Sequence, residues 1–313
     1  MIIVTGGAGF IGSNIVRSLN RRGEKDIVVV DDLTDGHKFT NIANCQIADY
    51  WDKDLFQQRL RTGLKFEPGC IFHQGACAVT TEWNGRYMMD TNYQYSVELL
   101  DYCLENDVPL IYASSAAVYG ANQEFREEPS LERPLNIYGY SKLLFDQHVR
   151  RRFAASTTQI TGLRYFNVYG PGEAHKGGMA SIAWHLNQQV QDNGEARLFE
   201  GSDGYSAGEQ RRDFIYVDDI VDVNLWFMDH PDKSGVFNVG TGKASTFNDV
   251  ANAVIDWHGK GEVSYIPFPA GLKASYQSFT EADIGALRAA GYEAGFADVN
   301  DGVRVYLGRL AEA

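Results

Sequence analysis

The chain opens with "MIIVTGGAGFIGSNIVRSLN". Three glycines spaced three apart, Gly6, Gly9 and Gly12, follow the strand candidate "IIV" directly and lead into the helical pattern "FIGSNIVRSLN". Glycines so placed allow a tight turn and let a pyrophosphate approach a helix N-terminus, where unpaired N–H groups and the helix dipole favour negative charge. A glycine motif alone is weak. Here a strand precedes it, a helix follows it, and the next apolar run, "DIVVVDDL", ends in an acidic pair, as a dinucleotide-binding fold requires.

The apolar runs "IIVT", "DIVVVD", "CIFH", "PLIYAS" and "QITGLR" are separated by stretches long enough for crossover helices. That alternation predicts an α/β fold, a Rossmann-type doubly wound parallel sheet covered on both faces. After "YFNVYGP" the pattern loosens into glycine-rich, charged sequence, and "FIYVDDIVDVNLWFM" with "GVFNVG" reads as a return to the sheet. The expected organisation is a dinucleotide-binding domain of residues 1–166 and 213–258. A smaller, discontinuous substrate-binding lobe takes 167–212 and 259–313.

With 28 Lys plus Arg against 41 Asp plus Glu, the net charge of −13 argues against nucleic acid or an anionic membrane as the main partner. The four cysteines show no C-x-x-C pair and no histidines at metal-site spacing. Reduced thiols in a cytoplasmic protein, with no metal, are the reading. The glycine loop starts too early to leave room for a cleavable signal peptide, and no run of about 18 apolar residues announces a membrane span.

Asp31 or Asp32, at the end of the second strand, is placed to bind adenosine ribose hydroxyls, which taken alone points to NAD. Lys38 and Lys53 near the same strand end suit the extra 2′-phosphate of NADP. "IYASSAAVYG" ends a strand in small hydroxylated residues, and "NIYGYSKLL" follows on a helix. Each helical residue turns by about 100°, so Tyr138 sits about 40° from Lys142 and Tyr140 about 200° from it. Ser115, Tyr138 and Lys142 thus suit alcohol–ketone interconversion with a nicotinamide. A nearby ammonium is expected to lower the tyrosine pKa from about 10, and the serine to steady the substrate oxygen. A half-buried tyrosine with a surface lysine is the plainer alternative for Y-x-x-x-K, and Arg212 is a candidate for gripping a diphosphate bidentately.

"TGGAGFIG", "SSAAVYG", "YGYSK" and "RYFNVYGP", in that order, resemble the extended short-chain dehydrogenase/reductase family. Nucleotide-sugar dehydratases of that family carry an Asp-Glu pair where this chain has Ala116 and Ala117, which disfavours dehydration. "TTEWNGRYMMDTNYQYS", "GEAHKGGMAS", "FEGS" and "YIPFP" followed by "LKASYQSFT" resemble its branch of ADP-heptose 6-epimerases, essentially end to end. That resemblance implies epimerisation of an ADP-heptose at C6″ through a transient ketone, with NADP as cofactor, or NAD in its place. It implies Tyr138 and Lys176 as the two proton shuttles, Lys142 on the nicotinamide ribose and Ser115 on the reacting oxygen. Cofactor contacts carry over to Phe10, Ile11, Asp31, Asp32, Lys38, Lys53, Gln74, Gly75, Ala76, Cys77, Ala78, Asn92 and Lys142. Substrate contacts carry over to Asn167, Gly178, His185, Phe199, Glu200, Gly201, Ser202, Arg212 and Tyr276. A homo-oligomer, a pentamer by the same resemblance, is also expected. Gln74, Ala78, Val79 and Asp32 depart from the branch's usual residues and Gly172 from the "YGPR" frequent in the wider family, and Asp32 adds a negative charge beside the proposed 2′-phosphate.

Overall fold

The computed structural model describes residues 1–63, 68–153, 156–268 and 277–312. The chain divides into two compact units, 1–120 with 127–165 and 221–237, and 121–126 with 166–220 and 238–313.

In the first unit, β1 (Ile2–Thr5) leads through the glycine turn into α1 (Phe10–Arg21), and β2 (Ile27–Asp31), β3 (Asp49–Asp52) and α2 (Lys53–Thr62) follow. Next come β4 (Cys70–His73), α3 (Gly85–Met88), α4 (Tyr95–Glu105), β5 (Leu110–Ser115), α5 (Ile137–Arg150) and β6 (Ile160–Tyr165). The second unit opens with β7 (Asn167–Tyr169), α6 (Ile182–Asn193), β8 (Glu195–Phe199), β9 (Arg211–Arg212) and β10 (Phe214–Tyr216). α7 (Val217–Asp229) and β11 (Gly235–Val239) cross the unit boundaries. β12 (Ser245–Thr246), α8 (Phe247–His258), β13 (Glu262–Ile266), α9 (Gly285–Ala290) and α10 (Val299–Glu312) complete the chain.

The main sheet has seven strands in the order β11-β6-β5-β4-β1-β2-β3. Its pairs from β3 through β6 are all parallel. This is a Rossmann-type doubly wound α/β sheet, in which strand order reverses between β1 and β4 and ligands gather at the carboxyl ends. β2 reads "IVVVD" with every residue buried, the continuous apolar run of a strand covered on both faces. Ile3, Val28, Ile71, Leu99 and Phe145 belong to one cluster between sheet and helices. Residues Met89–Gln94 form a π-turn between α3 and α4, a wider turn often found at functional sites.

The unit boundaries differ from those expected from the sequence. Residues 213–220 and 238–258 belong to the second unit, because β10 pairs in parallel with β7 and α8 packs against α6 and α10. Residues 121–126 join it too, where Asn238 donates to the Phe125 carbonyl at 2.6 Å. Asp213 pins this unit by accepting the Thr241 and Gly242 N–H groups at 2.7 and 2.9 Å and the Ala282 N–H at 3.0 Å. Local signals close its helices: Ser181 caps α6, and Thr246 with Asp249 forms a capping box on α8.

Candidate active site and cofactor cradle

The glycine turn is shaped by close approach of backbone to backbone. Gly6 has φ +64°, and a Cβ on it would stand 2.7 Å from the Gly75 nitrogen; one on Gly12 would stand 2.1 Å from the Gly6 carbonyl oxygen. Only glycine fits either place. Gly9 begins α1 with no side-chain cap, so the helix N-terminus stays open to an anion. Phe10 is buried and Ile11 half-buried behind it. This bare, Cβ-free cradle fits a dinucleotide pyrophosphate.

At the end of β2 each expected lysine has a carboxylate partner. Lys38 bonds Asp31 Oδ1 and the Asp32 carbonyl, and Lys53 Nζ lies 2.7 Å from Asp32 Oδ2. Asp31 Oδ2 accepts the Ala8 N–H at 2.8 Å, tying the acidic pair to the glycine turn. The hydrogen bond from Lys53, helped by Thr34, holds the Asp32 carboxyl well below the usual carboxylate range. The added negative charge of Asp32 is therefore matched by a lysine.

The Gln74–Ala78 segment is fixed mainly through its backbone. Gln74 accepts from the Tyr165 hydroxyl at 3.1 Å and donates to Asn224 at 3.3 Å. Gly75 N–H donates to Thr5 Oγ1 at 3.2 Å. Ala76 is half-buried and Ala78 exposed. Asn92, buried in the π-turn, accepts the Cys77 N–H at 2.7 Å and donates to the Cys77 carbonyl at 2.9 Å and to Ser141 Oγ at 3.2 Å. Its amide thus clamps the loop to α5.

Ser115 ends β5, and Tyr138 and Lys142 lie in the first turns of α5, whose N-cap Asn136 accepts the Gly139 N–H at 2.8 Å. Tyr138 is half-buried, Lys142 buried and Tyr140 exposed, as helical spacing requires. The expected lowering of the Tyr138 pKa by Lys142 is corrected for the protein alone. Burial pushes the phenol up, and the opposing hydrogen bond comes from Ser115. Lys142 instead donates to the Ala113 carbonyl at 2.9 Å. Burial draws its pKa down to about 8, against the pull of Asp146 one helical turn on. Helix spacing fixed the shared face but not where the ammonium ends.

In the second unit Asn167, His185, Phe199 and Arg212 line one cavity of about 620 Å³. Gln189, Arg197, Gln210 and Phe247 share its wall. The Arg212 guanidinium is buried and stands 5.7 Å from the Phe247 ring centre, a cation held against an aromatic face. Glu200, Gly201 and Ser202 do not line the cavity. Gly201 has no room for a Cβ, which would meet the Tyr205 carbonyl at 2.2 Å, and Ser202 is buried, accepting from Gln210 at 3.2 Å. These residues shape the turn that follows β8. Gly178 is exposed and Lys176 half-buried in the 3-10 turn Ala174–Met179; burial lowers the lysine pKa, and Glu173 opposes that. Tyr276 lies outside the described residues. Among the cavity residues that the sequence did not single out, Gln189 stood within reach, one helical turn after His185 on α6. Gln210 and Phe247 did not, since antiparallel pairing of β12 with β9 brings them together.

A Cβ-free turn at a helix N-terminus and a serine–tyrosine–lysine set at the carboxyl end of a parallel sheet, both in the first unit, mark a dinucleotide-binding α/β class. Residues 2–240 match the NAD dependent epimerase/dehydratase family. The chain belongs to that family. It is 58% identical over 314 positions to the ADP-L-glycero-D-manno-heptose-6-epimerase of Alkalilimnicola ehrlichii, covering 100% of this chain and 98% of that protein. Among solved structures it resembles the Helicobacter pylori ADP-L-glycero-D-manno-heptose-6-epimerase, with TM-score 0.87 and 32% identity over 100% of this chain and 96% of that one. It also resembles the Thermus thermophilus UDP-glucose 4-epimerase complex with NAD, with TM-score 0.80 and 27% identity over 100% and 99% of the two chains.

Proposed function

We propose that the protein converts ADP-D-glycero-D-manno-heptose to its L-glycero epimer by oxidising C6″ to a ketone and restoring hydrogen on the opposite face. The observation that carries this reading is the end-to-end 58% identity to a protein named for that epimerase. A bound nicotinamide dinucleotide supplies reversible acceptance of the C6″ hydride.

Tyr138, in its ionised form, takes the proton of the C6″ hydroxyl as the ketone forms, and Lys176, as an ammonium, serves as the second proton shuttle by giving a proton to the oxygen when hydrogen returns on the opposite face. Ser115 donates to the reacting oxygen, and Lys142 holds the nicotinamide ribose. NADP is the cofactor: Lys38 and Lys53 turn from their carboxylates to the 2′-phosphate, a charge-assisted contact. NAD is the second choice, with Asp31 on the ribose hydroxyls. Gly6, Gly9 and Gly12 would hold the cofactor's pyrophosphate, and the segment Gln74–Ala78, held by Asn92, would border the cofactor.

For the substrate, Arg212 grips the diphosphate, which a planar guanidinium matches bidentately. Phe199 and Phe247 offer the base an aromatic wall, and Asn167 and His185 supply polar contacts. Gly178 and Ser202 belong to the turns that border the sugar nucleotide. A cytoplasmic, homo-oligomeric, pentameric enzyme completes the reading. Among the described residues no helix is long and apolar enough to cross a membrane.

The test is proton NMR of purified protein with ADP-D-glycero-D-manno-heptose, without added cofactor, while 340 nm absorbance is followed. The L-glycero epimer should accumulate with no net change in reduced cofactor. No epimer, even with NADP or NAD supplied, contradicts the assignment and moves the search to UDP-hexoses and inversion at C4.

A further inference from the structure

The turn that carries Lys176 is closed by the carboxylate of Glu173, a residue of the "GEAHKGGMAS" segment to which no role was assigned from sequence. Glu173 is fully buried. Its Oε2 accepts the Ser181 N–H at 2.5 Å, and its Oε1 accepts the Ser181 hydroxyl at 2.7 Å and the Gly170 N–H at 3.3 Å. The backbone tightens the same ring: Lys176 N–H donates to the Glu173 carbonyl at 2.9 Å and Ala180 N–H to the Gly177 carbonyl at 3.0 Å. Gly177, at φ +53°, makes the bend between them.

We infer that Glu173 is a positioning residue for the proposed proton shuttle: it locks the 170–181 turn by its three hydrogen bonds and sets its negative charge beside Lys176. The inference rests on the reading of Lys176 as a shuttle. A buried charge is costly unless it is paired and hydrogen-bonded. A glutamate whose only task was to cap α6 would also be superfluous, since Ser181 already caps that helix through the Trp184 N–H at 3.2 Å. What Glu173 adds is rigidity one turn from the lysine and a charge that keeps its ammonium available against burial. Among the described residues, Lys176 on its own turn and Tyr306 on α10 interact electrostatically with Glu173. Burial, and after it Glu173, raises the Tyr306 phenol well above its ordinary range. Loss of the carboxylate is expected to lower the proton affinity of Lys176.

The test uses the full chain with its cofactor. Lysine reactivity is followed against pH by competitive acetylation, with the Lys176 peptide quantified by mass spectrometry, and kcat and KM are measured in parallel. In Glu173→Gln the Lys176 midpoint should fall by about one pH unit and kcat by about tenfold or more, with KM little changed. Glu173→Asp, which keeps the charge, should restore the midpoint. Should Glu173→Gln fail to fold, Ser181→Ala removes one restraint but keeps the carboxylate, and should lower kcat with the Lys176 midpoint little changed; an unchanged kcat there overturns the locking role. An unmoved midpoint in folded Glu173→Gln overturns the inference. Lys176→Met separates the two claims: full turnover there defeats the shuttle reading itself, whereas lost turnover with an unmoved midpoint in Glu173→Gln defeats only the role of Glu173.

Discussion

The Arg164 Nε–H donates to Asp146 Oδ2 at 2.9 Å, and neither side chain reaches solvent. Asp146 also accepts the Tyr112 and Ser114 hydroxyls, both at 2.9 Å, while Arg164 reaches Tyr119 and Glu132. The pair therefore joins β5, β6 and α5 next to Ser115 on its strand and one helical turn from Lys142 on its helix. Breaking a buried pair strands the remaining charge, at a cost of about 3–5 kcal/mol. Arg164→Met is expected to lose about that much stability, read from urea denaturation. A loss below about 1 kcal/mol, as for an exposed pair, contradicts this account of how α5 is seated.

Tyr138→Phe keeps the ring and removes only the hydroxyl that meets Ser115. Thermal stability and cofactor content should be retained. Loss of a general acid–base group should lower kcat by about 10²–10⁴. Turnover within a few-fold of the parent removes Tyr138 from the chemistry.

Lys142 gives a pH signature whose sign follows from its depressed pKa. In the unfolded chain it holds its proton to about 10.5, whereas in the folded protein burial releases it near 8. Below pH 8 both states are protonated and the penalty for burying the ammonium is constant. Between 8 and 10.5 the unfolded state binds the extra proton, so this group makes stability rise with pH. Relative to Lys142→Met, the parent protein without cofactor should gain stability from pH 7.5 to 9.5 in paired denaturant titrations. A difference that stays flat or falls contradicts the buried ammonium.

The paired charges at the end of β2 bear on cofactor choice. Lys38→Ala and Lys53→Ala should each weaken NADP by about tenfold, the scale of one lost charge-assisted contact, while leaving NAD nearly unchanged. Asp32→Asn should favour NADP, because Lys53 then has no carboxylate to leave. Dissociation constants from nicotinamide fluorescence decide the point. Equal losses for both cofactors would show that these lysines do not read the 2′-phosphate.

Much of the first unit was legible because its signals are local. The glycine spacing, the apolar β2 ending in Asp31, and Tyr138 with Lys142 one turn apart each lie within a single strand–turn–helix segment. The second unit was less so. Arg212 drew notice by charge, but its Phe247 neighbour is 35 residues away in sequence and arrives through strand pairing. The compact units divide the chain elsewhere than the expected domains, because β10 and α8 follow apolar patterns that suit either assignment while β10 pairs with β7 and α8 packs on α6 and α10. Asp146 and Glu173 were silent for another reason: a buried carboxylate looks like any surface one until its partners are known. The direction of the Tyr138 shift depended on the reach of the Lys142 ammonium, which spacing along a helix does not give.

The central claim is that the hydrogen removed from C6″ is the one returned to it. Substrate carrying deuterium at C6″, converted by the purified protein in ordinary water and examined by NMR and mass spectrometry, tests this most directly. The L-glycero product should retain the deuterium at C6″. Replacement of that deuterium by solvent hydrogen would contradict hydride transfer and point to epimerisation by proton abstraction from carbon.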